Sequence, residues 1–248
     1  MRSRSLTQGS GNPTSRVVTV VGSVARTRIS QAPLVRIGIL GSGLMGGKLG
    51  ALFARAGHEV VFSYARSAHK LERLARAAHG QASAGTPAEA AHGADALLLA
   101  VHWSRVDEVL RQAGDLAGKV IISCALPMDA SDSALVVGQS SSGAEQLAHK
   151  AASSRVVAAF GTVPSEVLFS VYERRHKSNR PSLVYCGDDH DAKALAAGLI
   201  RAVGFDPVDA GPLKIARYAE PFSLLIAQLA YEGSSGPQLA YRFEHLGD

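Results

Sequence analysis

From Leu34 onward, short apolar runs alternate with stretches whose apolar positions recur every three or four residues, the pattern of strands followed by helices. "LVRIGIL" (34–40) predicts a first strand, ended by the turn Gly41-Ser42-Gly43. Leu49, Leu52 and Phe53 then share a helix face, and Gly57 is placed to end that helix. "HEVVFSY" (58–64) predicts the second strand. Ser67 is positioned to cap a helix carrying Leu71, Leu74, Ala75 and Ala78, and Thr86-Pro87-Ala88-Glu89 forms a capping box that opens a short one. "ADALLLAV" (94–101) and "KVIISCAL" (119–126) are apolar on both faces, as strands inside a parallel sheet are. "RVVAAF" (155–160), "SLVYC" (182–186) and "FDPVDA" (205–210) predict three more strands, with helices over 193–202 and 215–231. "GQSSSG" (138–143) reads as a surface loop.

This alternation predicts an α/β fold: a Rossmann-type, doubly wound, mostly parallel sheet with helices on both faces and a small C-terminal lobe. The expected division is a basic leader (1–33), a nucleotide-binding domain (34–166) and an α/β extension on the acceptor side (167–248). The formal net charge is +5, but residues 1–33 hold five arginines and no acid. The body therefore balances, which argues against nucleic acid as a partner. The Arg- and Ser-rich leader reads as a disordered extension, an upstream mis-assigned start or an organelle-targeting segment. Apolar runs such as 96–101 and 224–227 fall far short of the roughly 20 residues a membrane span needs. Cys124 and Cys186 form neither a CxxC pair nor a zinc spacing, and both read as reduced thiols in apolar strands of a cytoplasmic protein.

Gly41-Ser42-Gly43-Leu44-Met45-Gly46 matches GxGxxG directly after a strand and at a helix start. In that setting the first glycine permits the turn, the second lets backbone approach a pyrophosphate, and the third lets helix and strand pack. An NAD site carries an acid at the end of the second strand, whereas this chain has Ser63-Tyr64-Ala65-Arg66-Ser67, with Lys70 one turn on and no acid until Glu72. Arg66 and the nearby hydroxyls suit a 2′-phosphate, so NADP(H) is the expected cofactor. The strand ends at Val101-His102-Trp103, Ala125-Leu126-Pro127 and Gly161-Thr162-Val163-Pro164-Ser165 are expected to line the nicotinamide side. His102, Trp103, Thr162 and Val163 are candidate pocket residues, although His102 also reads as a structural hydrogen-bonder and Trp103 as core packing. Asp188-Asp189-His190-Asp191 precedes a helix and reads as capping, so no metal is expected.

Taken together, "IGILGSGLMG", Tyr64 and Arg66, "VHW" (101–103), "TVPS" (162–165), "YCGDD" (185–189) and "DAGPL" (209–213) resemble, in order, the NADPH:coenzyme F420 oxidoreductase family and the related nucleotide domain of STEAP-type metalloreductases. The resemblance runs from residue 35 to about 243. It implies that Ser42 to Met45 hold the pyrophosphate and that Tyr64 and Arg66, with Lys70 a looser match, hold the 2′-phosphate. Val163 and Ser165 would lie near the nicotinamide. Two departures stand out: Ala65 where F420-using members have an arginine, and Gly161 where they have a histidine. The implied chemistry is hydride transfer between NADP(H) and a planar acceptor, whether deazaflavin F420, flavin, quinone or metal chelate. A small-molecule imine or keto reductase and an NADPH-binding redox sensor without turnover are the alternatives. The apolar 221–231 segment reads either as core or as half of a homodimer contact.

Overall fold

Strand β1 (Arg36–Leu40) lies third in a sheet whose order is β3-β2-β1-β4-β5-β6-β7-β8. The computed structural model describes residues 34–138 and 140–247, and the basic leader expected over 1–33 lies outside them. The first six strands, which add β2 (Glu59–Ser63), β3 (Ala82–Ala84), β4 (Ala96–Leu99), β5 (Val120–Ser123) and β6 (Arg155–Ala158), run parallel. Then β7 (Ser182–Gly187) pairs antiparallel to β6, and β8 (Asp206–Asp209) is parallel to β7. The order reverses between β1 and β4, so a crevice opens there at the carboxyl ends of the strands.

Alternate strand residues feed the two faces. Ile37, Ile39, Phe62, Leu98 and Ile122 join one core beneath α1 (Leu44–Arg55). Leu40, Val61, Leu97 and Ile121 join the other, beneath α3 (Pro87–Ala91), α4 (Val106–Ala113) and α5 (Gly143–Lys150). Burial on both sides is why β4 and β5 are apolar throughout. The expected caps form: Ser67 caps α2 (Ala68–Ala77), and Thr86 and Glu89 cap each other's backbone at the start of α3.

The three-residue edge strand β3 was not foreseen, and neither were α4, α5 or α6 (Leu168–Glu173), each eight residues or fewer. The 138–143 stretch also differs from a plain surface loop. Ser142 is buried, its hydroxyl accepts the Glu145 N–H to cap α5, and Gly143 is already the first residue of that helix. Asp189 caps α7 (His190–Ala202), and the Asp188 carboxylate accepts the Leu213 N–H, so these two acids serve backbone donors.

After Ser165 the chain does not leave the sheet: β7 and β8 extend it, and the described residues form one compact unit. The segment 221–231 divides by face within α8 (Ala216–Ala227) and the π-helical turn that follows. Ile226 and Ala230 are buried, whereas Leu225, Leu229 and Tyr231 are exposed.

Candidate functional site

The crevice beside β1 is built by three glycines with three different jobs. Gly41 has φ of +110°, and a Cβ there would strike the Ala100 carbonyl oxygen and sit 2.6 Å from the Val101 side chain. Gly46 has no room because a Cβ would run into the Gly41 carbonyl oxygen. A Cβ on Gly43 would meet nothing within 4 Å. The second glycine therefore faces open space, where a ligand can approach the backbone. Gly43 also begins α1 without a side-chain cap, and the first turn carries no acid. The first N–H groups of that helix and the positive end of its dipole are thus left for an anion. Leu44, 73% exposed beside them, is an apolar side chain with no core to join.

The two serines of this region turn inward. Ser42 Oγ donates to the Ser63 carbonyl at 2.9 Å, and Ser63 Oγ donates to the Ile39 carbonyl at 2.7 Å. Both side chains are buried, so they fasten the glycine turn to β1 and β2 and are not free to hold a phosphate. This corrects the reading of Ser63 as a hydroxyl for the 2′-phosphate, and it leaves Ser42 only its backbone to offer a ligand.

Beyond β2, Tyr64 adopts φ of +55° and turns the chain into a cavity of about 860 Å³ bounded by Ala65, Arg66, Thr86, Arg105 and Gln112. Lys70 is not among its lining residues. Three acids border it, and each is engaged. Glu89 closes the α3 capping box, and Glu72 faces Arg76 at 3.6 Å. Glu108 takes the Tyr64 hydroxyl and Arg105, contacts that hold its carboxyl below the usual range. Arg66 is exposed and has no carboxylate within 4 Å among the described residues. Arg105 is the contributor that sequence reading missed, because it lies on a single 3-10 turn (Trp103–Arg105) after β4, far along the chain from β2.

Across the crevice, the candidates after β4 and β6 are tightly packed. Val101 lies against Gly41. His102 is a structural clasp: its Nδ1 meets Ser104, and its Nε2 reaches the Asp129 carbonyl and the Asp132 carboxylate, each at 3.1 Å. It thereby ties the 127–136 loop to the end of β4. Asp129 organises that loop by accepting from Ser133 and Ser131, with Ser133 the main cause of a pKa lowered to about 2. Trp103 packs half-buried against the core. Val163, expected near the nicotinamide, is buried in the core beneath α1.

Thr162 Oγ1 lies 2.7 Å from the Tyr241 hydroxyl, and Ser165 is held by Lys48 of α1, whose Nζ donates to its Oγ at 2.9 Å and its carbonyl at 3.1 Å. Gly161, Thr162, Cys124, Ala125 and Leu126 line a small space of about 30 Å³ with Glu220 at its wall. Glu220 is buried and accepts the N–H groups of Gly143 and Ala144, each at 2.9 Å. Desolvation raises its pKa, outweighing those two donors. Burial likewise pushes the Cys124 and Cys186 thiols up to about 12. Among the described residues, no cluster of acids, cysteines and histidines has a metal-holding arrangement, and no helix is long and apolar enough to cross a membrane.

A glycine turn at the switch point, an uncapped helix start and an adjoining cavity define a Rossmann-type dinucleotide-binding domain. Residues 36–127 match the model of the family described as "NADP oxidoreductase coenzyme F420-dependent". The chain is 28% identical over 212 residues to the metalloreductase STEAP3 of Rattus norvegicus, covering 84% of this chain and 40% of that protein. It therefore spans less than half the length of that relative. Among solved structures, a putative F420-dependent NADP reductase from Arthrobacter sp. FB24 superimposes with a TM-score of 0.74 at 24% identity, covering 85% of this chain and all of that one. A reductive aminase from Aspergillus terreus in complex with NADPH and ethyl levulinate matches with a TM-score of 0.58 at 20% identity, over 79% of this chain and 61% of that chain. These two structural likenesses establish the fold.

Proposed function

We propose that this chain is an NADPH-dependent oxidoreductase that passes a hydride between NADP(H) and a planar acceptor. One observation carries the choice of nucleotide: among the described residues, Arg66 borders the cavity beyond β2 without a carboxylate partner, while each acid on the rim is already engaged. A 2′-phosphate placed there meets a free guanidinium, with Arg105 on the same rim, and a bare ribose hydroxyl finds no acid at the end of β2 to accept its proton. The family whose model residues 36–127 match, and the relative named as a metalloreductase, support an oxidoreductase.

The bound nicotinamide would supply the hydride. The chain's residues then have positional tasks. Backbone around Gly43 and the start of α1 seats the pyrophosphate, and Arg66 fixes the adenosine end. The ends of β4, β5 and β6 form the wall against which the ring and the acceptor stack. The apolar part of that lining, Ala125, Leu126 and Gly161, offers a surface for rings held in contact with water excluded, as direct transfer requires.

The test is calorimetric titration of the full chain with NADPH and with NADH, followed by turnover assays across flavin, deazaflavin, quinone and ferric-chelate acceptors. Preference for NADPH with turnover of any of these supports the reading. Preference for NADH overturns it. Tight NADPH binding with no turnover anywhere points instead to a redox sensor.

A further inference from the structure

A second cavity, of about 450 Å³, lies between the 174–181 loop that follows α6 and the segment 238–242. It shares no lining residue with the cavity beyond β2. Arg174, Lys177, Arg180 and Arg242 all line it, no Asp or Glu among the described residues does, and the Asn179 amide sits among them. Two of the cations have acids nearby: Arg242 meets Glu244 at 2.8 Å, and Arg180 reaches Asp206 only at 3.9 Å. Arg174 and Lys177 have no carboxylate within 4 Å among the described residues.

Four like charges converging on one hollow repel one another, and a concave wall focuses their field on whatever sits within. The body of this chain sums to zero charge with these four cations included, so the concentration is local. The volume falls in the range of small-ligand sites, and guanidinium forks match phosphate oxygens two at a time. A surface for duplex nucleic acid would instead be an extended basic face.

The cavity also reaches the segment expected to carry the nicotinamide wall. Tyr241 lines it and touches Thr162, and Gln238, another lining residue, donates to the Glu166 carbonyl one residue past Ser165.

We propose that this cavity is a binding site for a small polyanion of the phosphate class, separate from the dinucleotide site. The phosphate is either free or the charged arm of the acceptor. The site itself stands on its geometry, and only the second source rests on the proposed function.

The test is calorimetry of the full chain with inorganic pyrophosphate, first saturating the dinucleotide site with NADP+ and matching ionic strength with sodium chloride. One pyrophosphate site is expected. The double variant Arg174→Glu, Lys177→Glu, checked for native circular dichroism, should weaken it about tenfold or more. Arg66→Glu should leave it unchanged. If NADP+ itself fails to bind, the function proposed above is lost, and comparing these variants still reads the second cavity. Displacement of pyrophosphate by FMN but not by riboflavin assigns the site to a phosphate-bearing acceptor, whereas no displacement by either assigns it to a free anion. Three results would overturn the proposal: no pyrophosphate binding, equal loss in Arg66→Glu, or binding of an oligonucleotide without binding of pyrophosphate.

Discussion

Lys48 on α1 holds Ser165 by both its hydroxyl and its carbonyl oxygen, across 117 residues of chain. The helix that starts at the glycine turn is thereby locked to the segment after β6, and the two sides of the crevice keep a fixed relation. Lys48→Met keeps the packing of the stem and removes the donors. We expect a loss of roughly 1.5 to 3 kcal/mol in urea unfolding, the range for hydrogen bonds made by a charged group. An unchanged midpoint would show that the contact contributes nothing.

The glycine turn separates folding from binding. Gly46→Ala forces a methyl against the Gly41 carbonyl oxygen and should destabilise by about 1 to 3 kcal/mol, as overpacking does. Gly43→Ala adds a methyl to empty space, so its melting temperature should match wild type while NADPH affinity drops about tenfold. Thermal melts and calorimetry on the two variants distinguish the effects.

Arg66→Glu tests the electrostatics of the cavity beyond β2. Reversing the charge should cut the preference for NADPH over NADH by about tenfold or more, with most of the loss on the NADPH side. A parallel fall for both nucleotides would mean that Arg66 does not read the 2′-phosphate.

Glu220 gives a pH signature. Burial raises its folded pKa above the ordinary 4.5, so the stability it contributes is complete below 4.5 and is lost as pH rises through the folded value. Wild type should therefore lose stability relative to Glu220→Gln as pH climbs past 4.5, measured by denaturant unfolding across a pH series. Glu220→Ala leaves the Gly143 and Ala144 N–H groups without their acceptor, at about 1 to 3 kcal/mol for each buried donor.

The two thiols, with pKa values pushed to about 12, should resist iodoacetamide at pH 8 in the native protein and react only on unfolding. Mass spectrometry of the labelled chain checks this; Cys124 is only partly buried, so its rapid native labelling would contradict the raised pKa.

Much of the fold was legible because its signals are local. The apolar period marks β1, β2, β4 and β5, the caps at Ser67 and Thr86 act within three residues, and GxGxxG is a contiguous demand on backbone space. The short elements were not legible: β3 has three residues and α6 six, too few to show a period.

The pairing of distant side chains is where sequence and structure part. Residues 34–67 by themselves determined a strand, a glycine turn, a helix and a second strand ending in an arginine without an acid, since each follows from near neighbours. Only the tertiary structure decided that Ser42 and Ser63 spend their hydroxyls on backbone, that Lys48 meets Ser165, and that Glu220 ends against Gly143. It also gathered Arg242 with Arg174 and Lys177 into one cavity, which an overall charge balance averages away. The reason is physical: a hydrogen bond or a charge cluster depends on distance in space, and chain separation carries no information about that until the sheet has closed.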